Sequence, residues 1–182
     1  MNMNLEIDDN LVELIQDATQ KALKKLFREH NEKFYYCSLI TTGEGLCPIV
    51  SAWSEEALER VAREQDDIDE AKYYLKWSYA ETPYFAYGEE YFADVNKVFL
   101  ERMRKLTTES EKDNEIQLRI NSMEKVMYNL DMKGMFGQGE QRLGIVINAE
   151  FMPPDFSNTE RALRLNPKDA LNEWLEEIAE EL

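Results

Sequence analysis

The chain has 182 residues, the size of one domain, and its 43% apolar and 11% aromatic content argues against intrinsic disorder. Thirty-seven acidic against 21 basic side chains give a net charge of −16, which repels phosphate backbones and anionic lipid and so disfavours nucleic acid and membrane surfaces as partners. The same charge would steer a basic protein toward the chain, although plain solubility accounts for it equally well.

The opening residues Met1 to Glu6 carry neither a basic nor an apolar signal, and no stretch approaches the roughly 18 apolar residues of a membrane span, so a cytoplasmic location is expected. With no repeat or flexible linker, residues 1–182 read as a single domain. The first helix is expected over about Asn10 to Glu29, where Leu11, Leu14, Ile15, Ala18, Ala22, Leu23, Leu26 and Phe27 recur at helical spacing. Asn10 and Glu13 stand three apart, as in a capping box. Two strands follow, Phe34 to Thr42 and Leu46 to Trp53, joined at Gly43-Glu44-Gly45, with Pro48 marking an edge or a bulge. Ser54 is placed to cap a short helix reaching about Glu64, with Leu58 and Val61 inward.

Tyr73 to Ser78 reads as a third strand, and Glu81 to Gly88 as loop. Two helices are expected over about Tyr91 to Thr107 and Asp113 to Met132. The apolar run Leu143 to Asn148 suits a strand at the centre of a sheet. Ser157 and Glu160 form a capping box for a short helix, and Asn166-Pro167 opens the last one. That helix carries an inner stripe of Leu171, Trp174, Leu175, Ile178 and Leu182, and an outer acidic face of Glu173, Glu176, Glu177, Glu180 and Glu181. The fold class is therefore α+β, with helices packed on a mixed, mostly antiparallel sheet of about four strands in the order α-β-β-α-β-α-α-β-α-α.

Little in the chain points to catalysis. His30 is the sole histidine and sits where it can cap the first helix, so zinc sites and His-based triads lack members. Cys37 and Cys47 read as buried free thiols of a reducing compartment. The segment Gly134 to Gly139 is glycine-rich, but a helix precedes it and a strand follows, the reverse of a phosphate loop; it reads as a turn with positive-φ glycines. Adjacent acids such as Glu89-Glu90 and Asp66-Asp67 read as solvated. No metal, cofactor or catalytic residue is assigned, and the chain is not expected to be an enzyme.

The segment Tyr73 to Phe92 holds nine aromatic residues beside acids. Core packing is one role for them, and anchoring a partner is the other.

Three stretches occur in a set order: Thr42-Gly43-Glu44-Gly45; Tyr74-Leu75-Lys76-Trp77-Ser78 followed by Ala80-Glu81; and Phe136-Gly137-Gln138-Gly139-Glu140-Gln141-Arg142 before an apolar strand. In this the chain resembles the bacterial "domain of unknown function 4303" family over nearly its whole length. The resemblance transfers no enzymatic activity. It implies an immunity-type protein that neutralises a toxin in the cytoplasm. Thr82-Pro83-Tyr84 departs from the pattern, which has another aromatic after the glutamate.

Three readings of function follow. In the first, an acidic, immunity-like binding protein docks a basic toxin or other basic protein through Trp77, Glu81, Tyr84 and Tyr87. In the second, a small-ligand binder or carboxylate-dependent enzyme has a pocket near Trp77 and Glu81. In the third, the chain is a structural subunit of a homo-oligomer. The first is the expectation carried forward.

Overall fold

The computed structural model describes residues 6–179. Helix α1 (Asp9–Glu29) is started by the Asp8 carboxylate, which accepts from the Asn10 and Leu11 amides, so Asp8 and not Asn10 is its cap. The helix buries Leu11, Ile15, Ala18, Ala22, Leu23 and Leu26. Each of its large apolar side chains contributes roughly 1.5–3 kcal/mol on burial. His30 ends it, its amide donating to the Leu26 carbonyl.

Strands β1 (Phe34–Thr42) and β2 (Ile49–Ser54) pair antiparallel, with Cys37 opposite Ala52, Ser38 opposite Ser51 and Leu39 opposite Val50. Gly45 turns the hairpin at φ 61°. β2 begins at Ile49 rather than Leu46, after Pro48, and the register irregularity falls at Phe34/Tyr36 instead of at the proline. Cys37 is buried in β1, whereas Cys47 lies ahead of β2 and is only half-buried; both are free thiols.

Ser54 caps α2 (Glu55–Ala62) as expected, accepting from the Ala57 amide. The next element overturns an expectation. Residues 68–75 form helix α3 (Ile68–Leu75), not a strand. Asp67 accepts from the Asp69 and Glu70 amides and nucleates the turn, and Ala71 and Leu75, four apart, supply its buried stripe. That local signal overrides the strand preference of the tyrosines. A 3-10 turn (Glu89–Phe92) leads into α4 (Ala93–Met103). The long helix α5 (Glu109–Met132) starts four residues before the expected Asp113, because Thr108 and Glu111 form a reciprocal capping box.

Gly134, Gly137 and Gly139 all adopt positive φ. They deliver the chain to the one-turn helix α6 (Glu140–Leu143) and then to β3 (Val146–Met152). Helix α7 (Phe156–Leu165) is capped by Asp155 rather than Ser157. The last expected helix is split into a 3-10 turn (Lys168–Ala170) and α8 (Asn172–Glu177). Leu182, Glu180 and Glu181 lie outside the described residues.

β3 pairs parallel with β1, from Tyr36 opposite Val146 to Thr42 opposite Met152, giving the order β2-β1-β3. Among the described residues the sheet thus has three strands, with one antiparallel and one parallel pairing, rather than about four that are mostly antiparallel. β3 is an edge strand, not the centre. Its apolar run reflects α5 and α7 packing against it.

Side-chain alternation gives the sheet two unlike faces. Cys37, Leu39, Val50, Ala52, Ile147 and Ala149 share one, all buried and apolar. Tyr36, Ser38, Ser51, Asn148 and Glu150 share the other, a buried polar strip in which the Tyr36 hydroxyl donates to Glu150.

The outer edge of β3 is closed by side chains. Asn166 takes both peptide groups of Ile147, Asn158 takes both of Phe151, and Arg161 donates to the Ala149 carbonyl at 2.6 Å. The Ala149 amide is met by the Asn148 side chain at 2.9 Å. An edge with its peptide groups occupied offers no template to another strand.

Candidate protein-binding surface

The aromatic segment closes the opposite edge of the sheet. Tyr87 donates its amide to the Val50 carbonyl at 3.1 Å, and the Thr82 hydroxyl donates to the Ala52 carbonyl. From the sheet side, Ser51 donates to the Tyr79 carbonyl at 2.8 Å and the Trp53 indole to the Ser78 carbonyl at 2.7 Å. This seals β2 as α7 and Asn166 seal β3.

That role turns several of the expected anchors inward. Trp77 is 8% exposed and packs edge-on against Tyr35 and Tyr36. Its indole donates to Glu177 at 2.5 Å, and Lys76 pairs with both Glu173 and Glu177. These contacts give two of the acids on α8 a structural role. Tyr84 is 3% exposed; its hydroxyl donates to Glu32 at 2.6 Å and accepts from Arg60 at 3.0 Å. Tyr87 is half-buried, its ring 6.0 Å from that of Tyr84. The Tyr87 hydroxyl donates to Glu29 and lies 3.3 Å from the His30 ring nitrogen Nε2. Glu81 is exposed and makes no side-chain hydrogen bond or ion pair among the described residues. The structure therefore brings Tyr84 and Tyr87 together, leaves Trp77 in a separate cluster on Glu177, and isolates Glu81.

Charge in the Tyr84–Tyr87 cluster is compensated internally. Burial works against the Glu32 carboxylate, but hydrogen bonds from Ser54, Tyr84 and Arg60 prevail and hold it below the usual range. Burial, then the bond to Glu29, pushes the Tyr87 hydroxyl up to about 12. Both tyrosines stay protonated at neutral pH and serve as donors, which suits a fixed network.

The most exposed rings of the segment lie on α3 instead, ahead of Phe85 and Tyr91. Tyr73 is 72% and Tyr74 54% exposed. Asp69 stands four positions before Tyr73, and Glu70 three before Tyr73 and four before Tyr74, so both acids neighbour the rings on the helix surface. Neither acid has a cation partner among the described residues, since Lys72 turns away to pair with Glu59. Fixed carboxylates beside two open phenol rings can bind ammonium or guanidinium groups and stack against their stems. The sequence carried a signal for this face: Asp67 as a cap, acids in the first turn, and Ala71 and Leu75 at helical spacing.

Among the described residues no helix is long and apolar enough to cross a membrane, and no cluster of three metal-binding side chains is present. No curated protein and no solved structure matches the chain. The profile of one family, described as a domain of unknown function (DUF4303), matches residues 15–167, a span from α1 through α7 that includes α3 and both closed sheet edges. The chain therefore belongs to the family described as domain of unknown function 4303.

Proposed function

We propose that the chain is an acidic protein-binding module that engages a basic protein through the outer face of α3. The observation that supports this reading is the pairing of two open tyrosines with two carboxylates, Asp69 and Glu70, lacking a cation. Tyrosines supply contact area at low entropic cost, and acids raise the association rate of a cationic partner. Neutralisation of a basic toxin inside the cell is the specific form of this role that we propose. The anchors are Tyr73 and Tyr74, in place of Trp77, Glu81, Tyr84 and Tyr87.

The test compares the wild-type chain with Tyr73→Ala/Tyr74→Ala and Asp69→Asn/Glu70→Gln variants in capture from native lysate at low salt, followed by kinetics on the captured protein. The acid variant should slow association and flatten its salt dependence, and the tyrosine variant should speed dissociation. A partner retained equally by all three chains would refute the assignment to α3.

A further inference from the structure

A second surface lies between the β1–β2 hairpin tip and helices α4 and α5. Two cavities of about 520 and 370 Å3 meet there at Leu46, Cys47 and Asn96. Their walls are largely apolar, with Phe99, Leu100 and Ile116 on one side of Leu46 and Pro48, Ile49 and Phe92 on the other. Leu46 and Leu100 are 50% and 46% exposed.

One buried guanidinium lines the groove and ties its walls together. Arg119 is 1% exposed, donates to the Gly45 carbonyl at 2.6 Å and the Phe99 carbonyl at 2.8 Å, and pairs with Glu115 at 2.9 Å. It thereby ties the hairpin tip to both helices while its charge is spent internally.

The rim is mainly acidic. Glu44, Glu89 and Asp113 border the cavities without an ion pair among the described residues, and Lys112, within the field of Asp113, is paired with Glu109. We propose that this groove docks a basic amphipathic segment of a partner protein, its apolar side chains seated over Leu46 and Leu100 and its lysines or arginines meeting Glu44, Glu89 and Asp113. A fatty acid would bring a carboxylate to a rim of carboxylates. A second copy of the chain, itself at −16, would do the same on a larger scale. A basic helix or strand satisfies both walls and rim. The assignment stands on the groove alone and does not depend on α3.

The test titrates the full chain with a synthetic helical peptide of about 18 residues, five turns, with leucine on one face and lysine elsewhere. Its glutamate counterpart and dodecanoate serve as comparison ligands, and binding is followed by isotope-labelled methyl spectra. The expected result is 1:1 saturation with shifts at Leu46, Leu100 and Ile116, and no saturation by the glutamate peptide. Leu100→Ser and Leu46→Ser, both at half-exposed positions, should each weaken binding by about tenfold. Glu44→Gln/Asp113→Asn should flatten the salt dependence. The Tyr73→Ala/Tyr74→Ala chain should bind the peptide unchanged, which separates this groove from α3. Binding insensitive to both leucine substitutions, tighter binding of dodecanoate, or a concentration-dependent dimer that buries Leu46 and Leu100 would each overturn the proposal.

Discussion

Asn166 and Ile147 are joined by two hydrogen bonds in which a side chain does the work of a strand. The Asn166 Oδ1 accepts from the Ile147 amide at 2.9 Å, and its Nδ2 donates to the Ile147 carbonyl at 2.7 Å. The same Nδ2 reaches the Ala162 carbonyl, and Arg142 donates to the Oδ1 at 3.1 Å. All of these groups are buried, so only a carboxamide in this orientation satisfies them.

Asn166→Asp removes both Nδ2 donors and sets a carboxylate against two carbonyl oxygens. The substitution should cost about 2–4 kcal/mol, the scale of two buried groups left unpaired. Urea unfolding gives the number, and an unchanged midpoint would show that the edge is not held by this amide.

Glycine positions separate strain from crowding. Gly88 sits at φ 71°, and a Cβ there would lie 2.8 Å from that of Ala22 on α1. Gly139 has φ 56° with nothing within 4 Å of an added Cβ. At ψ −128° it lies outside the left-handed helical well, in a region open essentially to glycine, so Gly139→Ala should cost backbone strain of about 1–3 kcal/mol and no clash. Gly88, at ψ 27°, is in that well, so Gly88→Ala should cost the left-handed penalty of about 1–2 kcal/mol plus the displacement of α1. Thermal unfolding of the two variants measures both, and a Gly88→Ala loss no larger than about 2 kcal/mol would contradict the close approach of Gly88 to α1.

Glu150 is buried, and burial raises its carboxyl above the ordinary range against the opposing pull of hydrogen bonds from Tyr36 and Ser38. The folded chain thus holds this proton more tightly than the unfolded chain, which releases it as pH rises through about 4.3. From there upward native stability falls with pH until the folded carboxyl also ionises. Glu150→Gln keeps an acceptor for Tyr36 and removes the ionisation. The variant should gain stability over the wild type at pH 7 and lose most of that advantage at pH 4. Denaturation at the two values, with no change in the difference, would mean that Glu150 is ionised without penalty.

Glu111 behaves in the opposite sense. Amide donors at Thr107 and Thr108, with the two threonine hydroxyls, hold its carboxyl down at about 2. Its contribution is present above the unfolded value and is lost as pH falls from about 4.3 toward 2. Glu111→Gln should flatten acid unfolding across that window, and an unaltered profile would remove the capping box from the account.

The helical periodicity of α1, the glycine turn of the hairpin and the Ser54 cap were all legible in the sequence, because each depends on neighbours a few positions away. Three features were not. The α3 residues Tyr73 and Tyr74 carry strand preference, and only the Asp67 cap with Ala71 and Leu75 reveals the helix. The run Leu143 to Asn148 reads as a central strand because it is nearly continuously apolar, but the second neighbour of β3 is a row of side chains from Asn158, Arg161 and Asn166. No local pattern announces that substitution. Trp77 and Tyr84 stand out in the sequence as candidate partner anchors, yet both are buried, tied to Glu177, Glu32 and Arg60, which are distant in sequence.

The parallel pairing of β1 with β3 also sets a schedule for synthesis. Residues that meet in that ladder, such as Tyr36 and Val146, are separated by more than a hundred positions, whereas β2 follows β1 directly. At ribosomal speeds of about 5–20 residues per second, β1 spends several seconds with one flank bare before its partner emerges. Late loop closure of this kind slows folding. The nascent chain is most open to mispairing in that interval, before Asn158, Arg161 and Asn166 have been made to guard the finished margin.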